Sequence, residues 1–315
     1  MKVCISVDLD NYQDYQSLVD TQLDAAAPTF YTDAVPRFLD VFDRCGIRAT
    51  FFMIGRDAAR AENRAGIREI VARGHEVGNH SYTHPYNFRQ LTRQKKEREI
   101  DQGADAIADI LGERPVGFRT PSCEIDEEIL DILVERDYLY DSSVFPTPVM
   151  WAFMVYGRLF VRREQYQLGH PIVAFAPNLP YWPRMDALHR RRPVSDSRPP
   201  RILELPFSTL SGARIPFYST LLRRLGPRFF SFMMRSYGQR RVVLHALFHL
   251  IELADFEGTA LGDAFRRTPA LAVSFEGRSR FVNHAMELLS ASGESVTLRE
   301  FAQWFITQQE MPDAA

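Results

Sequence analysis

The sequence predicts an α/β fold built on one parallel sheet, and three observations carry that prediction. Through residue 143, short apolar runs rich in β-branched and aromatic residues alternate with segments of helical periodicity, a pattern that implies right-handed crossovers. The length of 315 residues is large for one simple core but falls within the range of a single α/β barrel. With 45% apolar and 25% charged residues the composition is that of a soluble globular protein, which argues against a disordered or fibrous chain. No run approaches the roughly 18 uninterrupted apolar residues that span a bilayer.

Taken in order, Val3–Val7 is a buried first strand, and Asn11–Phe30 is a polar, irregular loop of the kind that carries sites at strand ends. Asp33–Cys45 places Val35, Phe38, Leu39 and Phe42 at helical spacing and stops at Gly46. Arg48–Ile54 is the second strand, Asp57–Arg73 the next helix, and His75–Gly78 the third strand. Gln90–Leu111 is a long charged helix with Ile100, Ala104, Ile107 and Leu111 along one face. Val116–Phe118 is a fourth strand, Asp126–Arg136 a helix, and Leu139–Tyr140 leads into Asp141-Ser142-Ser143.

From Phe145 the regularity breaks. Aromatic, proline and arginine residues dominate to Pro200 (Trp151, Phe153, Tyr156, Phe160, Tyr181 and Trp182), as expected of an insertion rather than a second domain. Ile202–Pro206 is a short strand. Leu221–Arg241 mixes arginines with Leu, Phe and Met, Val242–His249 is a strand, Arg278–Ser292 a helix, Ser295–Thr297 a short strand, and Leu298–Thr307 the closing helix. The expected organisation is one barrel domain over 1–315 with an aromatic and arginine-rich insertion at about 145–241.

Charge is unevenly spread. Between Ser142 and His245 stand sixteen Arg, no Lys and four acids, a net of +12 inside a chain whose net charge is −2. Such a stretch suits an anionic surface. Leu221–Arg241 is therefore a candidate for peripheral contact with an anionic membrane, its arginines meeting lipid phosphates while Phe, Met and Leu enter the interface; the alternative is an arginine-decorated cover over the barrel. Nucleic acid is a poorer match, because no reading module accompanies the basic segment. Cys4, Cys45 and Cys123 are widely spaced and odd in number, which suggests reduced thiols, and the opening Met1–Val7 reads as a strand rather than a signal peptide. The expected location is cytoplasmic, at the inner face of the membrane if the basic segment docks there.

The chemistry gathers around Gly78-Asn79-His80-Ser81-Tyr82-Thr83-His84-Pro85. Two histidines four apart on a turn can face one ion. Asp8 and Asp10, two apart at the end of the first strand, point the same way. Asp10, His80 and His84 are the expected ligands of one divalent metal, which leaves Asp8 as a base for a metal-bound water. The alternative for the acidic pair is a solvated turn. His245 and His249 lie four apart along a strand, roughly 13 Å, too far to share an ion. His249, at the strand end, is the candidate acid for a leaving amine, as an imidazolium at neutral pH. Arg119 ends a strand beside Pro121 and could hold Asp8 by a bidentate contact or form a plain surface salt bridge.

These residues resemble five ordered motifs of the polysaccharide deacetylases of the NodB-homology type, carbohydrate esterase family 4. Ser6-Val7-Asp8-Leu9-Asp10 resembles the first motif, with Asp8 as base and Asp10 as metal ligand. Ala49–Gly55 is similar to the second barrel strand, and Gly78–Pro85 to the metal motif. Arg119-Thr120-Pro121 resembles the third, whose Arg orients the base, and Asp141-Ser142-Ser143 the fourth. His249 stands where the acid histidine belongs. The resemblance implies a distorted (β/α)7 barrel of the NodB-homology, glycoside hydrolase-deacetylase type, with a long insertion, and hydrolysis of an N-acyl group on a sugar. Three departures stand out: the first motif is Asp-x-Asp, Ser122 replaces the aromatic after Pro121, and the Asp-Trp pair that supports the acid histidine is missing. Glu204 or Asp141 is expected to supply that support.

The function expected is therefore removal of an acetyl or formyl group from an amino sugar, on a polyprenyl-phosphate-linked or other cell-envelope precursor. Zn2+ is the default cation, with Fe, Mn, Co or Ni able to take the same ligands. The alternatives are an amidohydrolase of a small cyclic amide in the same fold, or a non-catalytic sugar- or lipid-binding barrel.

Overall fold

The computed structural model describes residues 1–18, 29–151, 171–193, 195–196, 200–238, 241–259, 262–263 and 273–310. Its strands are β1 (Lys2–Asp8), β2 (Thr50–Met53), β3 (Glu76–Asn79), β4 (Gly117–Phe118), β5 (Tyr140–Asp141), β6 (Pro183–Arg184), β7 (Ala187–Arg191), β8 (Leu203–Glu204), β9 (Val243–His249) and β10 (Glu294–Ser295). Its helices are α1 (Tyr31–Cys45), α2 (Gly55–Ala58), α3 (Arg64–Ala72), α4 (Arg93–Leu111), α5 (Glu127–Glu135), α6 (Ser219–Leu225), α7 (Pro227–Tyr237), α8 (Phe275–Ser290) and α9 (Leu298–Glu310).

The main sheet is parallel throughout and runs β9-β1-β2-β3-β4-β5-β8, with β10 beside the first residues of β1. β1 has its apolar side chains buried from Val3 to Val7, as a strand covered on both faces requires. It pairs with β9 over its whole length, from Lys2 opposite Val243 to Asp8 opposite His249. The ends of the sheet meet through an irregular segment. The Ser208 N–H donates to the His245 carbonyl (3.0 Å), and the Leu247 N–H to that of Phe217 (2.9 Å). This is the distorted seven-stranded (β/α) barrel that the motifs imply. β6 and β7 form a separate antiparallel hairpin.

Most elements follow the apolar periodicity. α1 buries Val35, Phe38, Leu39 and Phe42 and stops at Gly46, whose left-handed backbone (φ 62°) returns its N–H to the Phe42 and Asp43 carbonyls. α4 buries Ile100, Ala104 and Ile107. One expectation fails in detail: the single helix over 57–73 is broken into α2, a turn at Ala61–Asn63, and α3. The buried Asn63 amide donates to the Asp57 carbonyl (2.8 Å), a bond that replaces helical continuation there.

Within the stretch expected as an insertion, Phe153, Tyr156, Phe160 and Arg240 lie outside the described residues, as do residues 19–28 of the first loop. β8, α6 and α7 fall inside that stretch and belong to the barrel: Leu222, Phe230 and Met233 join the core around Phe38 and Phe281. Among the described residues, no helix is long and apolar enough to cross a membrane.

Candidate metal centre and active site

The site lies at the carboxyl ends of the parallel strands. Asp8 ends β1, His80 follows β3, Arg119 follows β4 and His249 ends β9, so strand register alone brings them to one mouth. The loop carrying the two histidines is tightly held. Ser81 and His84 both adopt left-handed backbone (φ 65° and 56°), which costs energy for residues with a Cβ. Ser81 Oγ accepts from the His84 N–H (3.1 Å), and Glu99 accepts from the N–H groups of Tyr82 (3.1 Å) and Thr83 (2.7 Å). From the other side, the N–H groups of Gly55 and Arg56 at the start of α2 donate to the carbonyls of Ser81 (2.9 Å) and Tyr82 (2.8 Å).

One ligand atom from each of Asp10, His80 and His84 lies within 4.8 Å of the other two. Asp10 Oδ1 stands 3.7 Å from His80 Nε2 and 3.5 Å from His84 Nε2, and it is buried with no hydrogen-bond partner among the described residues. Two ligands of a tetrahedral ion at about 2.1 Å stand roughly 3.4 Å apart, so an orphaned carboxylate oxygen facing two imidazole nitrogens at these separations fits a divalent cation. The electrostatics agree. Burial, then Asp8, Asp14 and Asp57, push the Asp10 carboxyl well above its usual range, an arrangement a cation would relieve. Burial lowers both His80 and His84 to about 3, leaving the neutral imidazoles that ligation requires.

Asp8 lies beside this group, its Oδ2 3.9 Å from His80 Nε2. Arg119 Nη1 donates to Asp8 Oδ1 at 2.5 Å. Burial alone would raise the Asp8 carboxyl, but Arg119, with His80 and His249, holds it below the usual range. The contact is single rather than bidentate, because the rest of the guanidinium is committed elsewhere. Its Nε donates to the Ser142 carbonyl (2.9 Å) and its Nη2 to Ser142 Oγ (3.0 Å). The group is fully buried between the rings of Phe52 (4.0 Å) and Phe207 (4.6 Å), so the surface salt bridge is ruled out.

His249 faces the same cleft, with Nε2 4.0 Å from Asp8 Oδ2 and 3.9 Å from Asp10 Oδ2, its ring packed edge-on against Tyr218. Two expectations change here. Burial outweighs the nearby Asp8 and Glu252 and lowers the imidazole, so the resting form at neutral pH is uncharged. Neither Glu204 nor Asp141 supports the ring: they sit opposite each other on β8 and β5, share a carboxyl–carboxyl hydrogen bond, and hold the turn at Ser143 and Val144. The Nδ1 of His249 is buried with no hydrogen-bond partner among the described residues. His245 is a packed residue, bonded to Ser6 Oγ (2.9 Å) and the Pro206 carbonyl (3.3 Å).

Sequence reasoning missed an adjoining cluster of Asn11, Asp14, Arg56 and Asp57. Arg56 reaches Asp14 (2.8 Å) and Asp57 (3.4 Å), and the Asn11 amide donates to Asp57 (2.9 Å). The available signal was position: Asp14 is four residues past Asp10, and Arg56-Asp57 lies in α2, directly after β2.

A sequence profile described as polysaccharide deacetylase matches residues 22–140. Over 114 residues the chain is 33% identical to a peptidoglycan deacetylase-like protein of Gibberella zeae, covering 35% of this chain and 32% of that one. It is 29% identical over 110 residues to the peptidoglycan deacetylase of Helicobacter pylori, covering 35% and 36%. The chain thus spans about a third of the length of these curated relatives. In fold it is similar to a crystal structure from Mycobacterium smegmatis described as a polysaccharide deacetylase, with a TM-score of 0.60 and 17% identity over 100% of this chain and 93% of that one. The comparisons thus match residues 22–140 to the polysaccharide deacetylase family model, and the fold as a whole is similar to that of a structure described as a polysaccharide deacetylase.

Proposed function

We propose that this chain is a metal-dependent hydrolase that removes an N-acyl group, acetyl or formyl, from an amino sugar. The observation that carries this reading is the convergence of Asp10, His80 and His84 around one point, with an ionised Asp8 beside them. A divalent cation held by those three, zinc by default, would supply Lewis-acid polarisation of an acyl oxygen and acidify a water. Arg119 occupies Asp8 Oδ1, so Oδ2 is the oxygen that takes the proton from the attacking water. His249 rests neutral, so the proton it delivers to the departing amine is one released in the reaction; its Nε2 stands 4.0 Å from Asp8 Oδ2, beyond direct hydrogen-bond reach, so a water or a substrate atom between them carries the proton. Asp8 is buried and His249 has only 15% of its side chain exposed, which limits exchange of that proton with bulk water.

Several curated relatives are named for peptidoglycan or its N-acetylglucosamine, which supports a cell-envelope glycan as the substrate class. We extend this to a polyprenyl-phosphate-linked precursor met at an anionic membrane. The support is the outer face of α6 and α7, where Arg224, Leu225, Arg228, Phe232 and Arg235 are exposed. The expectation for this segment is narrowed: helical periodicity turns Leu222, Phe230 and Met233 into the core, and Arg223 pairs with the buried Glu252 (3.2 Å). Flotation with anionic vesicles at low and high salt tests the contact, and no binding at low salt defeats it.

The activity itself is tested by amine release from N-acetyl- and N-formyl-amino sugars, with metal content measured alongside. Asp8→Asn should retain the cation yet lose about 100-fold or more in rate. Full hydrolysis by that variant would overturn the assignment of the base. Turnover of small cyclic amides in place of sugars would favour an amidohydrolase.

A further inference from the structure

The two imidazoles at the centre are held unequally. His80 Nδ1 meets the Arg119 carbonyl at 2.8 Å. A carbonyl only accepts, so His80 carries its proton on Nδ1 and presents Nε2 to the cleft. His84 presents Nε2 to Asp10 in the same way, 3.5 Å from Oδ1. Its Nδ1, however, is buried with no hydrogen-bond partner among the described residues. Facing it at 3.8 Å is Asp14 Oδ1.

Asp14 is itself built into place. It is 6% exposed, its Oδ2 accepts the Asn11 N–H (2.8 Å), and its Oδ1 accepts from Arg56 Nη2 (2.8 Å). Arg56 Nη1 also reaches the Thr83 carbonyl (3.2 Å), in the peptide that joins Thr83 to His84. A single arginine therefore ties the carboxylate to the loop that carries the imidazole. No sequence motif named above includes either residue.

We propose that Asp14 is the outer carboxylate of the metal site, accepting the Nδ1–H of His84, and that Arg56 is the bracket that sets its height. The 3.8 Å separation exceeds a hydrogen bond by about 1 Å, which a small rotation of either side chain closes once a cation fixes the ring through Nε2. A carboxylate behind a metal-bound imidazole selects its tautomer and raises its basicity. Both imidazoles would then be locked as Nδ1–H, one by a carbonyl and one by a carboxylate. Asp14 touches neither substrate nor the reacting atoms, so it is a positioning residue. The inference rests on the metal-binding reading above.

The test uses the full chain titrated with Zn2+ against a competing chelator, and imidazole 15N spectra of the same samples. Asp14→Ala should weaken Zn2+ binding about 10- to 100-fold and broaden or shift the His84 Nδ1 signal, while the His80 signal stays in place as an internal check on the fold. Asp14→Asn, whose amide oxygen still accepts a hydrogen bond, should recover part of the affinity. Equal Zn2+ affinity in wild type and Asp14→Ala, with His84 in the same tautomer, overturns the proposal. A wild-type chain that binds no cation is a different result: it overturns the metal site itself.

Discussion

Replacing Arg119 with Met removes the charge while keeping much of the apolar stem that lies between Phe52 and Phe207. It deletes one hydrogen bond to Asp8 and two to Ser142, all in a fully buried setting. Breaking a buried ion pair by removing one partner costs about 3–5 kcal/mol, most of it the penalty of the stranded charge. The sign with pH follows from the shift on Asp8. In the wild type its depressed pKa contributes stability above the unfolded carboxylate value of about 3.9, lost as pH falls through the folded value. In the variant, burial is the largest remaining influence, so the carboxyl rises and folding favours the protonated form. The deficit against wild type should therefore be greatest near pH 7 and shrink on acidification, as Asp8 takes up a proton. Urea unfolding at several pH values between 7 and 5 reads this directly. A deficit below about 1 kcal/mol at pH 7, or one independent of pH, would refute the role given to the Arg119–Asp8 pair.

Two further outcomes concern the metal loop. Gly103→Ala would place a methyl 3.0 Å from the Ser81 carbonyl carbon and against the Asn79 side-chain oxygen, so it should weaken Zn2+ binding from a helix that holds no ligand; unchanged affinity would show that the loop yields freely. Adding Zn2+ at 100 times its dissociation constant should stabilise the chain by about 2.7 kcal/mol, and chelation should reverse it; thermal unfolding that ignores both would leave the three-ligand site without support.

The sequence made some of this structure legible, and the limits have physical causes. β1 and β9 were readable because a strand buried on both faces is a continuous apolar run. Asp8, Asp10, His80 and His84 were readable because their spacing within short segments already restricts where the side chains can point. Arg119 was placed correctly at a strand end, but its split between Asp8 and Ser142 depends on a neighbouring strand that no local pattern reveals. The same cause explains the reassignment of Glu204: whether a carboxylate on β8 meets His249 or Asp141 is fixed by sheet order, not by its neighbours in sequence. Asp14 and Arg56 were hidden in polar segments with no period, and the break between α2 and α3 in a side-chain bond to the backbone.

The position of β1 between β2 and β9 has a consequence for how the site comes into being. All three metal-ligand candidates lie within the first 84 residues, just past the ends of β1 and β3, the two strands that flank β2, whereas the far edge of β1 has no partner until Val243–His249 arrives. A chain emerging from the ribosome can thus complete its three ligands early while leaving one edge of β1 unpaired until Val243, about 160 residues after His84. Closing a loop of that size is slow, and the docking of β9 is also the event that delivers His249 opposite Asp8. Capacity to hold a cation and capacity to complete a reaction would then be acquired at different stages of folding, the first early, the second with closure of the barrel.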